Sequence, residues 1–435
     1  MTAPTTPPPS TSSLPPAADT PAVPGARPAW AERPTTPEGW IERARQVATT
    51  LAADAVERDR ALQIPRAEVD LLKESGLVTL LGPVEHGGAG QNWTTALRVV
   101  RAVSAGDGSI GQLLGYHYLW AWAARLVGTP GQIAAVEEQA TREQWFFGGA
   151  VNPRDDDLVI SLERNADGEE ELVYRGEKSF STGGRISDVT VLEGVIEGTD
   201  DHVFAIVPTQ QPAIRFKGDW DTLGQRLTES GGVVIDGVRV PWAAAAGWVA
   251  TESGHEFRPR VYNTLNVPLI QIIFVNLYLG IAEGALATAA AYTRDRTRPW
   301  PYAHDPKPSA TEEFHVLATY GELRSKLWAA EALAERAAGL IEAINAHADT
   351  VTPEERGEAE VVIAAAKQVA IEVGLEVGTR VYDVTGARAT ASSVGLDIHW
   401  RNLRTHSLHD PIAHKKAEVG RYALLGELPA PSWYT

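Results

Sequence analysis

The sequence predicts an α+β protein, mainly helical, in three successive parts, and three observations carry that reading. Apolar residues recur at spacings of three and four over 38–145, the period of helices with one buried face. Over 146–252 the pattern becomes short β-branched runs that alternate with period two. From 253 onward the helical period returns in long segments with short connections, which read as an up-and-down bundle. A chain of 435 residues is too long for one small core, so several domains are expected.

The elements follow in order. Residues 1–37 hold 11 of the 28 prolines, mixed with Ser, Thr and Ala. Such a segment buries too little apolar surface to offset its ordering entropy, and it reads as a disordered tail. Structure is expected from about Trp40. The N-terminal helical domain, 38–145, contains "EGWIERARQVATTLAADAVERDR" and "RAEVDLLKESGL", the second closed by Gly76 as a C-cap. "EHGGAGQ" is a loop, and helices resume through "TTALRVVRAVSA", "SIGQLLGYHYLWAWAARLV" and "TPGQIAAVEEQATREQ". The central domain, 146–252, reads as an antiparallel sheet, because no helices intervene between its strands. Its strands are "LVISLERN", "EELVYRGEKSFST", "DVTVLEGVIEG", "HVFAIVPT", "AIRFKGDW" and "GGVVIDGVRVP". The C-terminal domain, 253–435, has long helices near 260–297, 309–348 and 353–386 and shorter ones on either side of Pro411.

Composition excludes several classes. A net charge of −17 with no basic cluster does not suit nucleic acid or an anionic membrane. The absence of cysteine removes disulfides, thiolate nucleophiles and iron–sulfur clusters together. The N-terminus has no basic segment followed by an apolar run, so a cytoplasmic location is expected. "LIQIIFVNLYLGIAEGALATAAA" at 269–291 is long enough to span a bilayer, but Gln271, Asn276 and Glu283 interrupt it, and a helix buried in protein is expected instead.

Five motifs bear on chemistry. "GDGSIG" at 106–111 has the spacing of a dinucleotide loop but lies between two helices, so Asp107 or Ser109 reads as a helix cap. "GYHYLWAW" at 115–122 is either core or the wall of a flat aromatic pocket, with Tyr116 and His117 as its polar members. "EKSFSTGGR" at 177–185 is either a hairpin turn or a set of hydroxyls and amides aimed at an acceptor-rich ring. "RDRTRPW" sets Arg294, Arg296 and Arg298 at a helix C-terminus, where they oppose the dipole or clamp a phosphate. "RTHSLHDP" at 404–411 places His406 and His409 one turn apart. One helix should end near His409, and Asp410 should cap the next with Pro411 at its first position. The pair reads as a metal site, a structural pair or a catalytic donor pair. No zinc or di-iron spacing is matched, which disfavours metal.

Layout and motifs together resemble the acyl-CoA dehydrogenase superfamily over roughly residues 40–430. "ESGLVTLLGPVEHGGAG", "AGDGS" and "EKSFSTGG" stand where that family has its Gly-Leu…Pro…Gly-Gly segment, its Asp-x-Ser helix start and its flavin-contacting strand end. "WRNLRTHSLHDP" lies where many members carry a catalytic glutamate, and here the register gives His409, Asp410 and Pro411. With "VERDRA", "DGSIGQLLGYH", "FVNLYLGIAEGAL" and "RPW", the segment is most similar to the flavin-dependent monooxygenase branch that includes the dibenzothiophene monooxygenases.

The resemblance implies an N-terminal helical domain, a central β-domain and a C-terminal four-helix bundle. It implies a two-component monooxygenase: a separate NAD(P)H:flavin reductase supplies reduced FMN (FAD being the alternative), and O2 adds at flavin C4a. The resulting hydroperoxide oxygenates a small aromatic or organosulfur substrate, with dibenzothiophene-like S-oxidation as the type. His409 is then the principal donor and His406 its support, with Thr182 and His117 beside them. Phe180, Ser181, Thr182, Gly183 and Trp220 border the flavin ring, and Arg298 and Arg296 hold its phosphate. Arg388 reaches a flavin across a subunit boundary of a homotetramer. Tyr116, His117, Gly149 and Trp220 line the substrate pocket. Two positions depart from the branch: Gly149 replaces an expected asparagine and Thr182 an expected serine. An acyl-CoA dehydrogenase or oxidase, an N- or C-hydroxylating member and a non-catalytic binding member are the competing expectations.

Overall fold

The computed structural model describes residues 30, 32–152 and 158–432. Most of the expected tail (1–29 and 31) lies outside the described residues. Order begins before Trp40: Trp30 lies under the Arg43 guanidinium, 4.5 Å from ring centroid to Cζ, and Thr36 caps the first helix by accepting from Gly39 N. The N-terminal helices are α1 (Pro37–Ala52), α2 (Ala55–Ala61), α3 (Arg66–Glu74), α4 (Trp93–Gly106), α5 (Gly108–Val127) and α6 (Pro130–Arg142). The first expected helix is thus two, broken at residues 53–54. Between α4 and α5, Asp107 accepts from Ser109 N and Ile110 N and receives the buried Arg58 Nη2 at 2.8 Å. That carboxylate is a cap and an ion-pair partner, which is why "GDGSIG" is no phosphate loop.

The strands are β1 (Phe147–Ala150), β2 (Leu158–Arg164), β3 (Glu170–Lys178), β4 (Val189–Ile196), β5 (His202–Pro208), β6 (Ile214–Phe216), β7 (Val233–Pro241), β8 (Trp248–Thr251) and β9 (Gly254–Phe257). The first seven form one sheet in the order β1-β4-β2-β3-β7-β6, with β5 also paired to β4, antiparallel. This sheet is mixed and not wholly antiparallel: β1 and β2 each run parallel to β4. Alternation reports which face is buried and is blind to strand direction. The hairpin β8–β9 carries the β segment to Phe257, past residue 252.

The long helices are α7 (Asn266–Arg296), α8 (Phe314–Asn345) and α9 (Pro353–Thr385), followed by α10 (Asp397–His406) and α11 (Ile412–Leu425). Their direction can be read from the contacts between them. Thr293 near the end of α7 bonds Tyr320 near the start of α8 at 2.8 Å, and Lys326 of α8 pairs with Glu376 of α9 at 2.7 Å. Lys415 of α11 reaches Glu360 of α9 at 2.7 Å. The result is an up-down-up-down bundle. Among the described residues α7 is long and apolar enough to cross a membrane, but 83% of its most apolar window is buried inside the protein. Asn276 explains one of its polar interruptions: its Oδ1 accepts from Arg101 Nε and Nη2 of α4 at 3.0 and 2.7 Å.

One turn later α7 and α4 touch backbone to side-chain-free Cα. A Cβ on Gly280 would lie 2.2 Å from the carbonyl oxygen of Arg101, and one on Gly284 would lie 2.3 Å from that of Ala105. Backbone cannot yield as a flexible side chain can. Gly280→Ala should therefore destabilise the protein by roughly 2–3 kcal/mol through forced separation of α4 and α7, read as a lower urea midpoint at unchanged slope.

Candidate active site at the end of α10

The site begins with the docking of α10. Arg401 Nη2 donates to Asp59 Oδ2 of α2 at 2.7 Å, and Nη1 donates to Leu223 O at 2.9 Å. Asp59 is fully enclosed. One residue on, Asn402 Oδ1 accepts from Gln225 N at 2.7 Å. Gly224 permits this approach, since a Cβ there would stand 2.1 Å from Arg401 O. So α10 is clamped between α2 and the loop that joins β6 to β7.

The clamp fixes His406 at the last residue of α10. Tyr278 Oη of α7 lies 2.9 Å from His406 Nδ1 and donates to His406 O at 3.1 Å, while Tyr116 Oη of α5 is 3.4 Å from Nε2. Phe274 closes the ring edge-on at 4.5 Å. Burial, with the charges of His409 and Lys367 adding to it, pulls His406 well below its ordinary pKa, so the imidazole is neutral. Burial likewise raises both tyrosines above theirs, and they remain protonated donors.

His409 stacks on His406 at 5.8 Å between centroids and 22° between planes, and packs on Phe274 at 4.8 Å. Unlike His406 it is open to solvent, with 45% of its side chain exposed. Its Nδ1 lies 3.3 Å from Asp410 Oδ1, which assigns the proton to Nδ1 in the neutral ring and leaves Nε2 free. Two expectations are corrected at this point. The helix ends at His406 and not near His409, and Asp410 does not cap α11, whose start at Ile412 has no side-chain cap bond. The Asp410 carboxylate pairs instead with Lys367 Nζ of α9. Lys367 is almost wholly enclosed, and an ammonium so placed requires a counter-charge more than a helix end requires a cap. Burial alone would raise the Asp410 carboxyl, but the His409 hydrogen bond and the Lys367 charge outweigh it and hold it below the usual carboxylate range.

The second wall is the strand end after β3. Phe180 is held at φ 55° with its ring exposed, edge-on to Trp220 at 6.0 Å. Trp220 Nε1 donates to Gln225 O at 2.8 Å. Thr182 Oγ1 is bonded to Ser230 Oγ at 2.8 Å, Ser230 to Thr228 Oγ1 at 2.7 Å, and Thr228 donates to Gln225 O at 2.9 Å. Gly183 N donates to Thr228 O at 3.1 Å. The β6–β7 loop therefore ties Thr182 and Asn402 into one network, and the strand end and histidine pair are held in fixed relation. Ser181 Oγ is buried there without a hydrogen-bond partner among the described residues. An orphaned hydroxyl, a bonded threonine and an exposed aromatic edge fit a planar ring rich in acceptors, as in a flavin.

Other expected residues fall elsewhere. His117 does not meet the histidine pair: its Nδ1 accepts from Phe147 N at 3.1 Å and its Nε2 lies 2.8 Å from Val78 O, so both nitrogens are committed to backbone. Arg296 and Arg298 are exposed at and just past the far end of α7, where Arg388 Nη2 donates to Arg296 O at 2.9 Å. Eighteen residues of α7 separate Tyr278 from Arg296, about 27 Å of helix. No phosphate of a flavin beside His409 is reachable over that distance within one chain. Gly149 is covered by the Trp120 indole. A groove of about 1090 Å³ between α1, α4, α7 and α8 lies away from this chemistry; a smaller cleft of about 150 Å³ does border Trp220. Sequence reasoning missed Tyr278, Lys367, Phe274 and the Asp59–Arg401 pair. The quoted "VERDRA" and "WRN" segments contained the last two, but no local signal marks Lys367.

Comparison with known proteins matches residues 38–142 to the N-terminal domain, and residues 272–413 to the C-terminal domain, of acyl-CoA dehydrogenases. The chain is 37% identical over 402 residues to the probable FMNH2-dependent monooxygenase SfnC of Pseudomonas putida, covering 92% of this chain and 98% of that one. The solved structure of methanesulfinate monooxygenase MsuC from Pseudomonas fluorescens superposes with a TM-score of 0.83 at 37% identity, covering 91% and 99%. FMN-bound TdsC, a dibenzothiophene monooxygenase from Paenibacillus sp. A11-2, gives 0.82 at 36% identity, covering 91% and 100%.

The buried imidazoles make stability depend on pH. Burial pulls His117 down to about 4 and His406 well below its ordinary value. A histidine depressed in the folded state binds its proton more readily when unfolded, so stability is lost as pH falls below about 6.5. Between pH 7 and 5 these two, with His399 also drawn down to about 4 by burial, remove stability. Glu283, raised to about 7 by burial and the neighbouring Glu331, restores part of it, and the net expectation is lower stability at pH 5. The depressed Asp410 acts only below about pH 4, outside that window. Urea titrations at both pH values check this, and equal midpoints would refute it.

Proposed function

Because the chain belongs to the acyl-CoA dehydrogenase family, we propose that it works in that family's FMN-dependent monooxygenase branch, using reduced FMN and O2 to oxygenate an aromatic or organosulfur compound. The observation that carries this reading is the histidine pair in the place of a catalytic carboxylate. Proton abstraction needs a carboxylate free to accept, and Asp410 is committed to Lys367 and His409. What the site offers instead is an exposed imidazole, His409, whose Nε2 has no protein partner among the described residues, backed by a neutral one.

Reduced FMN, when bound, supplies two electrons with which one atom of O2 enters the substrate and the other leaves as water. The protein's task is to present His409 Nε2 to the reacting oxygen as the nitrogen that takes up and passes on a proton, to orient His409 through Asp410, and to keep water out. Phe274, Tyr116 and Tyr278 enclose His406 and make the inner wall dry. Ser181 and Thr182 would hold the polar edge of the flavin, and Phe180 and Trp220 would border its ring. A separate NAD(P)H:flavin reductase would supply the coenzyme, in agreement with "GDGSIG" being a helix cap. NAD(P)H supply accords with a cytoplasmic location. Arg296 at the end of α7, with Arg298 just past it and Arg388 bonded to it, lies too far from its own site, and the three suit a phosphate bound in a neighbouring copy of a homotetramer.

The test is incorporation of isotopically labelled O2 into product when the purified chain is supplied with FMN, NADH and a generic flavin reductase. Bleaching of bound flavin by an acyl-CoA under anaerobic conditions would favour the dehydrogenase alternative. His409→Ala should still bind FMN but release hydrogen peroxide at the expense of product, with coupled turnover falling about 100-fold or more. Unchanged product yield per NADH would remove His409 from the mechanism.

A further inference from the structure

Lys367 is a buried ammonium on α9, and three contacts define it. Its side chain is 1% exposed, and Nζ donates to Asp410 Oδ1. That same oxygen lies 3.3 Å from His409 Nδ1. Nζ also stands 5.4 Å from the centroid of Phe274, the ring on which both His406 and His409 pack. An ion so enclosed is costly, and an apolar side chain would fill the same place at less cost. Holding the backbone of the loop does not explain it. The segment between α10 and α11 is tied at both ends without Lys367. Arg401 and Asn402 seat α10. On the other side Lys415, the buried residue of α11, reaches the enclosed Glu360 at 2.7 Å, two turns before Lys367 on α9. What remains for Lys367 is the side chain of Asp410, which is 31% exposed and would otherwise be free to turn toward water.

Resting on the monooxygenase reading, we propose that Lys367 is a positioning residue: by anchoring the Asp410 carboxylate it fixes His409 in the Nδ1–H tautomer and keeps Nε2 available to take up and pass on a proton. Donor chemistry gives the arrangement its direction. An ammonium only donates, and a carboxylate only accepts. With Oδ1 held by Nζ, the neutral imidazole meets that oxygen with the hydrogen of Nδ1, and its lone pair lies on Nε2. Lys367 acts through Asp410 and not by contact with the reacting atoms. Without it the carboxylate has no fixed place, and the exposed ring of His409 has no polar partner that dictates which nitrogen carries the proton. A neutral ring with its hydrogen on Nε2 has no lone pair there for the proton it must take up.

Magic-angle-spinning NMR of the full chain, labelled with ring-15N histidine and held at alkaline pH, reads the tautomer directly. The His409 signals are identified by their loss in His409→Ala. The wild type should show His409 as a single Nδ1–H tautomer, and Lys367→Met should show both. Product per NADH, measured with dibenzothiophene, FMN and a flavin reductase, should fall about tenfold in that variant. Lys367→Met also leaves a part-buried carboxylate unpaired and so lowers stability. Lys367→Met/Asp410→Asn removes both charges and should melt close to the wild type. Its asparagine offers the ring either an oxygen or an N–H, so mixed tautomers and the loss of product should persist without the loss of stability. Mixed tautomers in the wild type, or a single Nδ1–H tautomer in both variants, overturn the proposal. Full product yield from both variants despite mixed tautomers also overturns it. No oxygenated product from the wild type would count against the monooxygenase reading beneath it, while the spectra still decide whether Lys367 places His409.

Discussion

The site depends on one constraint, the seating of a ten-residue helix, α10, between two independent anchors. Arg401 is bound by the buried Asp59 of α2, and Asn402 by the backbone of Gln225 in the β6–β7 loop. Neither anchor touches the proposed chemistry. Together they fix the rotation and depth of α10, and with that the position of His406 and His409. The same loop bonds Thr182 through Ser230 and Thr228, so helix and strand end are placed relative to each other by a shared third element. A site between two domains is held to sub-ångström tolerance only when such cross-links remove the freedom of each domain to move alone.

With α10 seated, the electrostatics follow. A long apolar helix, α7, presents Phe274 and Tyr278 one turn apart, and these enclose His406 so completely that its charged form is excluded. Three residues on, the chain has left the helix and His409 faces outward. Two imidazoles of the same sequence motif therefore sit in different settings, one enclosed and neutral and one open to solvent. Lys367 and Asp410 complete the arrangement. Their pairing takes the Asp410 carboxylate beside the histidines out of service as a base, which separates this site chemically from proton-abstracting relatives of the same fold.

Much of this was legible in the sequence. Helix and strand periods located nearly every long element, because burial of one face leaves a period that needs no knowledge of the partner. The histidine pair, the strand-end hydroxyls and the aromatic run were found as motifs. Less legible were the parallel pairings of β1 and β2 with β4, since alternation is the same in either direction. The role of Asp410 was misassigned because its local setting, before a proline and a helix, matches a cap. His117 stood in the right stretch, yet both its nitrogens serve the backbone, and the neighbouring Trp120 packs over Gly149.

By itself, then, the sequence determined the three-part architecture, the helix cap at Asp107 and the presence of two imidazoles one turn apart at a helix end. These are properties of residues near one another in the chain, where spacing converts directly into geometry. Tertiary structure alone decided which side chain neutralises Lys367, which ring covers Gly149 and how far the α7 arginines lie from the histidines. Those outcomes are set by through-space proximity between segments tens to hundreds of residues apart, and a buried charge or donor takes whatever partner packing brings within reach.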